Sequence, residues 1–321
     1  MRQRIILSLT LAVVCALPAA SQPRVGGMFA FQNNFWVNLH QFLRGEIYRR
    51  RVNAALGLDP ASLNEADRAA WASVLDVYTR VSKQDLIFDA EAQRIDNTLA
   101  MAGDVARLRD GLLDTSTTAA LNAAAPIYRV HLWPARQRDN DAWNAQAKAL
   151  IDRHEAAMAS ALARLYHITW PLEPYLLDAV GEIGPNSAVT HAGPAGFAAH
   201  IQAGAASLRN TGDAPLELLF HEASHASSVE GSIRAMIEDE CRRQKLAVSP
   251  NLWHLMIMYT SGAIARRELS ETGRPGYEPY VDRYDQLPPA ERSAFERDWQ
   301  PYLDRKAPFQ QALHDLVRDA R

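Results

Sequence analysis

His221, Glu222 and His225, in the run Leu218-Leu219-Phe220-His221-Glu222-Ala223-Ser224-His225, are the side chains of this chain best equipped for chemistry. On a helix, residues four apart share one face about one turn from each other, so both imidazoles can reach a single metal ion. Neutral imidazole suits zinc, and one zinc ion is the expected cofactor. Glu222 projects beside that face, where a carboxylate can deprotonate a metal-bound water as general base. These are the minimum parts of metal-assisted hydrolysis. The plainer reading is a coincidence on an amphipathic helix, but the apolar Leu218-Leu219-Phe220 before the motif and the small residues after it favour the metal.

A catalytic zinc site usually takes three protein ligands and keeps a fourth position open. His254, Glu238, Glu240, Glu268 and, distantly, Cys241 are candidates for the third. Were the helix unbroken past His225, Glu238 would stand about 20 Å further along its axis and out of reach. It becomes feasible only if Gly231 breaks the helix. His254 and Glu268 belong to one later helix but lie about 21 Å apart, so at most one of them is a ligand. His254 sits among Trp253, Met256, Ile257 and Met258, whereas Glu268 ends the charged run Arg266-Arg267-Glu268. The order of preference is therefore His254, Glu268, Glu238, with a core histidine as the plainer reading of His254. Tyr259, Tyr277 and Tyr280 could each donate to a substrate carbonyl or oxyanion, although tyrosine more often simply packs. Tyr259 is the catalytic candidate carried forward. His131, His191 and His200 read more simply as hydrogen-bonded structural histidines, and Cys241 as a small buried residue.

The elements that must position these groups are mostly helical. Helical spacing covers Phe35 to Leu43; Ser62 and Glu65 form a capping-box pattern before Trp71, Val74, Leu75 and Tyr78. Further helices are expected over Asp89–Ala102, Asp104–Leu113 and Asp141–Tyr166, with an extended piece over Ile127–Trp133. Three strand-like runs follow, His167–Trp170, Tyr175–Val180 and Phe197–Ala203. A strand there could bind an extended peptide along its edge. The motif helix is expected to begin after Gly212-Asp213 with Pro215 in its first turn, and another to run from Ser249-Pro250 to about Leu269. The expected class is α+β and predominantly helical, with a helical region over 22–166 and a metal-binding region over 167–321. Together they form one catalytic domain with a cleft between lobes.

Arg2 and Arg4, the apolar run Ile5–Leu17 and the small residues Ala19, Ala20 and Ser21 have the layout of a signal peptide over 1–21, giving an exported protein, periplasmic or secreted. Val14 before Cys15 does not fit a lipoprotein signal. No later run approaches a membrane span. Loss of Arg2 and Arg4 takes the formal net charge from −3 to −5, a balance unsuited to phosphate backbones, so nucleic acid is not an expected partner. With Cys15 removed, Cys241 has no thiol with which to form an internal disulfide.

The motif at His221–His225 resembles that of the zincin superfamily of metallopeptidases. In that superfamily two helices pack below a small mixed sheet, with a cleft between the sheet edge and the metal helix. The order of strand-like runs, H-E-x-x-H helix and second helix, from about His167 to Leu269, is similar to that core. More narrowly, His221-Glu222-Ala223-Ser224-His225, Leu252-Trp253-His254, Tyr259-Thr260-Ser261-Gly262 and Gly276-Tyr277-Glu278-Pro279-Tyr280 resemble a group of uncharacterised exported bacterial proteins. The superfamily resemblance implies zinc at His221 and His225 and a general base at Glu222. Ser228 and Gly231 stand where the metzincin pattern has its glycine and third histidine, and Gln244 where a ligand glutamate often follows. Neither pattern therefore supplies the third ligand. The expected function is that of a zinc metallopeptidase in which Glu222 assists attack of zinc-bound water on an amide of a peptide or protein. The alternatives are a noncatalytic exported zinc protein with a structural or binding role, and a zinc hydrolase of a non-peptide amide or ester.

Overall fold

The computed structural model describes residues 27–82, 90–183 and 187–320. The expected signal segment, with Arg2, Arg4 and Cys15, lies outside these residues, as does Asp89. Strand β1 (Phe29–Gln32) turns directly into helix α1 (Phe35–Arg51), because the Asn34 side chain accepts hydrogen bonds from the amides of Trp36 and Val37. Those donors would otherwise be orphaned in the first helical turn. Helix α2 (Glu65–Val81) starts in the same way at Asn64, which accepts from the Asp67 amide. Asn64 thus takes the capping role expected of Ser62, which lies in a preceding 3-10 turn. With α3 (Ala90–Ala100) and α4 (Thr115–His131) these helices enclose a core containing Trp36, Phe42, Trp71 and Tyr128.

Two expectations in this layer are corrected. Residues 104–113 are not helical. The Leu108 amide donates to Asn122 Oδ1 while Asn122 Nδ2 donates to the Leu108 carbonyl, so this backbone is satisfied outside a helix. Gly111, at φ 79°, adopts a left-handed conformation incompatible with one. Ile127–Trp133 is not extended but forms the end of α4 and the start of α5 (Trp133–Tyr166). Its β-branched and aromatic residues favour a strand locally. Burial of Ile127 and Tyr128, the latter packed on Phe35 and Phe42, overrides that preference.

The sheet contains β1, β2 (Tyr175–Val180), β3 (Ala188–Ala192) and β4 (Ala199–Gly204) in the order β1-β2-β4-β3. β1 with β2 and β2 with β4 are parallel, and β3 runs antiparallel to β4 at one edge. The strands expected at Tyr175–Val180 and near Phe197–Ala203 are present, whereas β1 and β3, only four and five residues long, are too short to stand out in the sequence. The run His167–Trp170 is not a strand: His167, at φ 54°, closes the C-terminus of α5, its amide bonding to Arg164 and that of Ile168 to Ala163.

Successive strand residues point to opposite faces, and the two faces enter different cores. Leu176, Val180 and Val189 join the core of α1–α4. Tyr175, Leu177, Ala179, Ile201 and Ala203 pack with α5 and with three later helices, α6 (Ala214–Ala223), α7 (Ser227–Gln244) and α8 (Leu252–Glu271). Since α5 contributes Trp143, Leu150, Met158 and Leu162 to this second core, the two cores do not divide at Tyr166. Short helical turns and a last helix, Phe309–Asp319, complete the chain. The class is α+β and predominantly helical. Among the described residues no helix is long and apolar enough to cross a membrane.

Candidate metal centre

Pro215 occupies the first turn of α6, where its missing amide hydrogen costs nothing, and the helix runs through His221 and Glu222 to Ala223. It then tightens. The amides of His225 and Ala226 bond three residues back, to Glu222 and Ala223, and Ala226 turns the chain into α7. The break therefore falls before Gly231, which lies inside α7. His225 stands just past the helix rather than on it, yet its Nε2 is 3.3 Å from Nε2 of His221. From the first turn of α8, His254 brings its ring centroid to 5.1 Å from that of His221 and 5.3 Å from that of His225.

The three histidines each offer one ring nitrogen, and these nitrogens all lie within 4.8 Å of one another, so the group could hold a metal ion. Nitrogens bound tetrahedrally to zinc at about 2.0 Å stand about 3.3 Å apart, close to the His221–His225 separation. Burial, reinforced by the neighbouring imidazoles, pushes His221 well below the usual histidine range. Burial and His225 push His254 down to about 4. Both rings are thus neutral near pH 7, the form in which imidazole ligates metal.

The ring of His225 is held from behind. Its Nδ1 lies 3.1 Å from Glu230 Oε2, and Arg234 Nε donates to Glu230 Oε1 at 2.7 Å. The Arg234 guanidinium covers the Trp253 indole at 3.7 Å, and Trp253 meets the His225 ring edge to face at 5.5 Å. Burial raises the Glu230 pKa, but its bonds to His225 and Arg234 outweigh this and hold it below the ordinary value. An ionised Glu230 selects the tautomer with the proton on Nδ1 and leaves Nε2 of His225 free to face the other rings. Glu230→Gln is expected to weaken zinc binding about 10- to 100-fold with little change in folded stability. Competition against a zinc chelator checks this, and an unchanged affinity would remove Glu230 from the site.

Glu222 lies in the same cavity of about 470 Å³ as the three histidines. It is buried, and Thr190 Oγ1 on β3 donates to its Oε2 at 2.6 Å. Burial pushes its pKa up, while His225 and Thr190 oppose the shift. One turn before His221, Glu217 accepts from the Tyr277 hydroxyl at 2.8 Å and from the Tyr280 amide at 3.1 Å. Burial outweighs these donors and raises its pKa to about 8. A side chain at Gly262 would meet Glu217 Oε1 at 2.8 Å, so glycine there permits the close approach of α8 to α6.

The other candidates lie elsewhere. Tyr259, five residues past His254, is rotated about 140° around the α8 axis from it. Its ring stacks on Phe295 and its hydroxyl donates to Gln300, which corrects its expected place at the chemistry; Met258 lines the cavity instead. Tyr280 lines the cavity too, but its hydroxyl donates to the Arg209 carbonyl. Glu268 pairs with His154 at 3.0 Å, Glu238 is exposed, and Glu240 bonds Arg243, Gln244 and His314. Cys241 is buried, and His131 is exposed. His191 lies 3.2 Å from Asp96, and His200 bonds Asp178 and Asn97. Sequence reasoning missed Thr190, Glu217 and Glu230. Glu217, four residues before His221, and Glu230, five after His225, were within reach of a local search for acids, but Thr190 carries no such signal. No protein-family model, curated protein or solved structure matches the chain.

Proposed function

We propose that this chain is an exported zinc hydrolase of the zincin type, most simply a peptidase that cleaves amide bonds. The observation that carries this reading is the convergence of three imidazoles with a buried glutamate in one cavity. His221, His225 and His254 would hold the ion, and zinc bound there supplies Lewis acidity. Thr190 holds Oε2 of Glu222, leaving Oε1 to take a proton from the attacking water and deliver it to the leaving amine. Burial of Glu222 raises its proton affinity and so suits it to that exchange. Glu230 fixes the ring of His225, while Arg234 and Trp253 cover its outer side. Support for a zincin-like core comes from the mixed sheet, whose antiparallel edge strand β3 touches the motif helix through Thr190, and from α8 as the second helix.

A noncatalytic zinc protein would be expected to close the coordination sphere with a fourth protein ligand. Among the described residues the group has three members, which favours the hydrolase. Non-peptide amides and esters would use the same groups, so substrate profiling separates them from peptides. The purified chain is expected to carry one zinc, to lose at least about 100-fold in hydrolytic rate on chelation, and to recover it when zinc is restored. Zinc-loaded protein that turns over no peptide, small amide or ester would reject the hydrolase and favour the noncatalytic reading.

A further inference from the structure

We propose that the cavity is a carboxylate-recognising cleft, in which Arg209 binds a negatively charged group of the substrate. This deepens the hydrolase reading and rests on it for the reaction, though not for the binding. Three acidic side chains line the cavity, and each is already engaged: Glu217 by Tyr277 and Tyr280, Glu222 by Thr190, and Glu230 by His225 and Arg234. Two arginines line it as well. Arg234 is neutralised by Glu230. Arg209 is not so matched: its guanidinium lies over the Tyr284 ring at 4.4 Å, and none of the three cavity acids pairs with it.

The segment carrying Arg209 is fixed by its main chain and its neighbour. The Tyr280 hydroxyl donates to the Arg209 carbonyl at 2.6 Å, Asn210 Nδ2 donates to the carbonyls of Ser187 and Gly204, and Trp143 Nε1 donates to the Asn210 carbonyl. A guanidinium stacked on an aromatic ring keeps its N–H groups free at the edges, where their planar fork matches a carboxylate. Among the described residues the cleft therefore holds an exposed arginine, stacked on Tyr284 and paired with none of the cavity's carboxylates, in the same cavity as the three histidines. An α-carboxylate at a chain end and an aspartate or glutamate side chain both supply the required chemistry.

The test uses the full chain in a Glu222→Gln background, loaded with zinc, so that binding is read without turnover. Three probes are titrated calorimetrically: acetyl-tetraalanine as the free acid, its carboxamide, and acetyl-Ala-Ala-Glu-Ala carboxamide. At least one carboxylate probe is expected to bind about 10- to 100-fold more tightly than the plain carboxamide, with the preference disappearing in Arg209→Met. Preference for the free acid assigns the chain end, and preference for the glutamate peptide assigns an acidic side chain. Arg209→Met retains apolar contact with Tyr284, and the segment is held by groups other than the Arg209 side chain, so the variant is expected to fold. Equal binding of the three probes, absence of binding by all three, or a preference that survives in Arg209→Met overturns the proposal. If wild type hydrolyses nothing but the Arg209-dependent preference holds, the hydrolase reading falls and the carboxylate site stands.

Discussion

Glu222→Gln is expected to lower kcat by about 10²- to 10⁴-fold while zinc content stays at one per chain. Glutamine nearly matches glutamate in shape, and its amide oxygen can still accept from Thr190 Oγ1, which holds the carboxylate at 2.6 Å. What is lost is the group able to take and return a proton. Because Glu222 is not in the three-histidine group, the metal should remain. Steady-state kinetics on the best peptide substrate, with metal analysis on the same preparation, checks both halves. Full activity at full zinc occupancy would remove Glu222 from the chemistry, whereas loss of zinc would show that the variant had disturbed the ligands.

His254→Ala is expected to leave the dialysed protein essentially free of zinc, a larger effect than the roughly 10- to 100-fold weakening assigned to Glu230. The half-buried ring approaches both motif histidines at about the same distance, and its removal leaves a two-histidine site. Glu268→Ala and Glu238→Ala serve as contrasts. The first strips the nearly buried His154 of its carboxylate partner and is expected to lower the Tm with zinc retained. The second changes an exposed side chain of α7 and is expected to change neither. Zinc retained in His254→Ala but lost in one of the glutamate variants would overturn the ligand set.

How far each residue was legible follows from the range of the interactions that place it. Pro215 marked the start of the motif helix because its ring restrains its own backbone, and the end of α5 was read at Tyr166 from apolar periodicity within one helix. The same local reasoning misjudged Ile127–Trp133 and 104–113. In the first, packing of Tyr128 against the distant Phe35 and Phe42 outweighs intrinsic preference. In the second, the Asn122 side chain replaces the backbone partners a helix would have supplied. Tyr259 is a local misreading instead: five residues past His254, helical spacing by itself already turns it about 140° around the α8 axis from that histidine.

By itself the sequence determined that His221, Glu222 and His225 would be neighbours, since a spacing of four residues brings side chains together on any helix and nearly survives the tightened turn after Ala223. It also narrowed the third ligand to a short ranking, because helical rise excludes candidates too far along a shared axis. Only the tertiary structure brought His254, rather than Glu268 or Glu238, beside the two motif histidines, and supplied Thr190 from the sheet edge, the ring of contacts from His225 through Glu230, Arg234 and Trp253, and Arg209 in the cavity wall. Periodicity tells which face of an element is buried. Which distant element it is buried against is set by the packing of whole helices and strands.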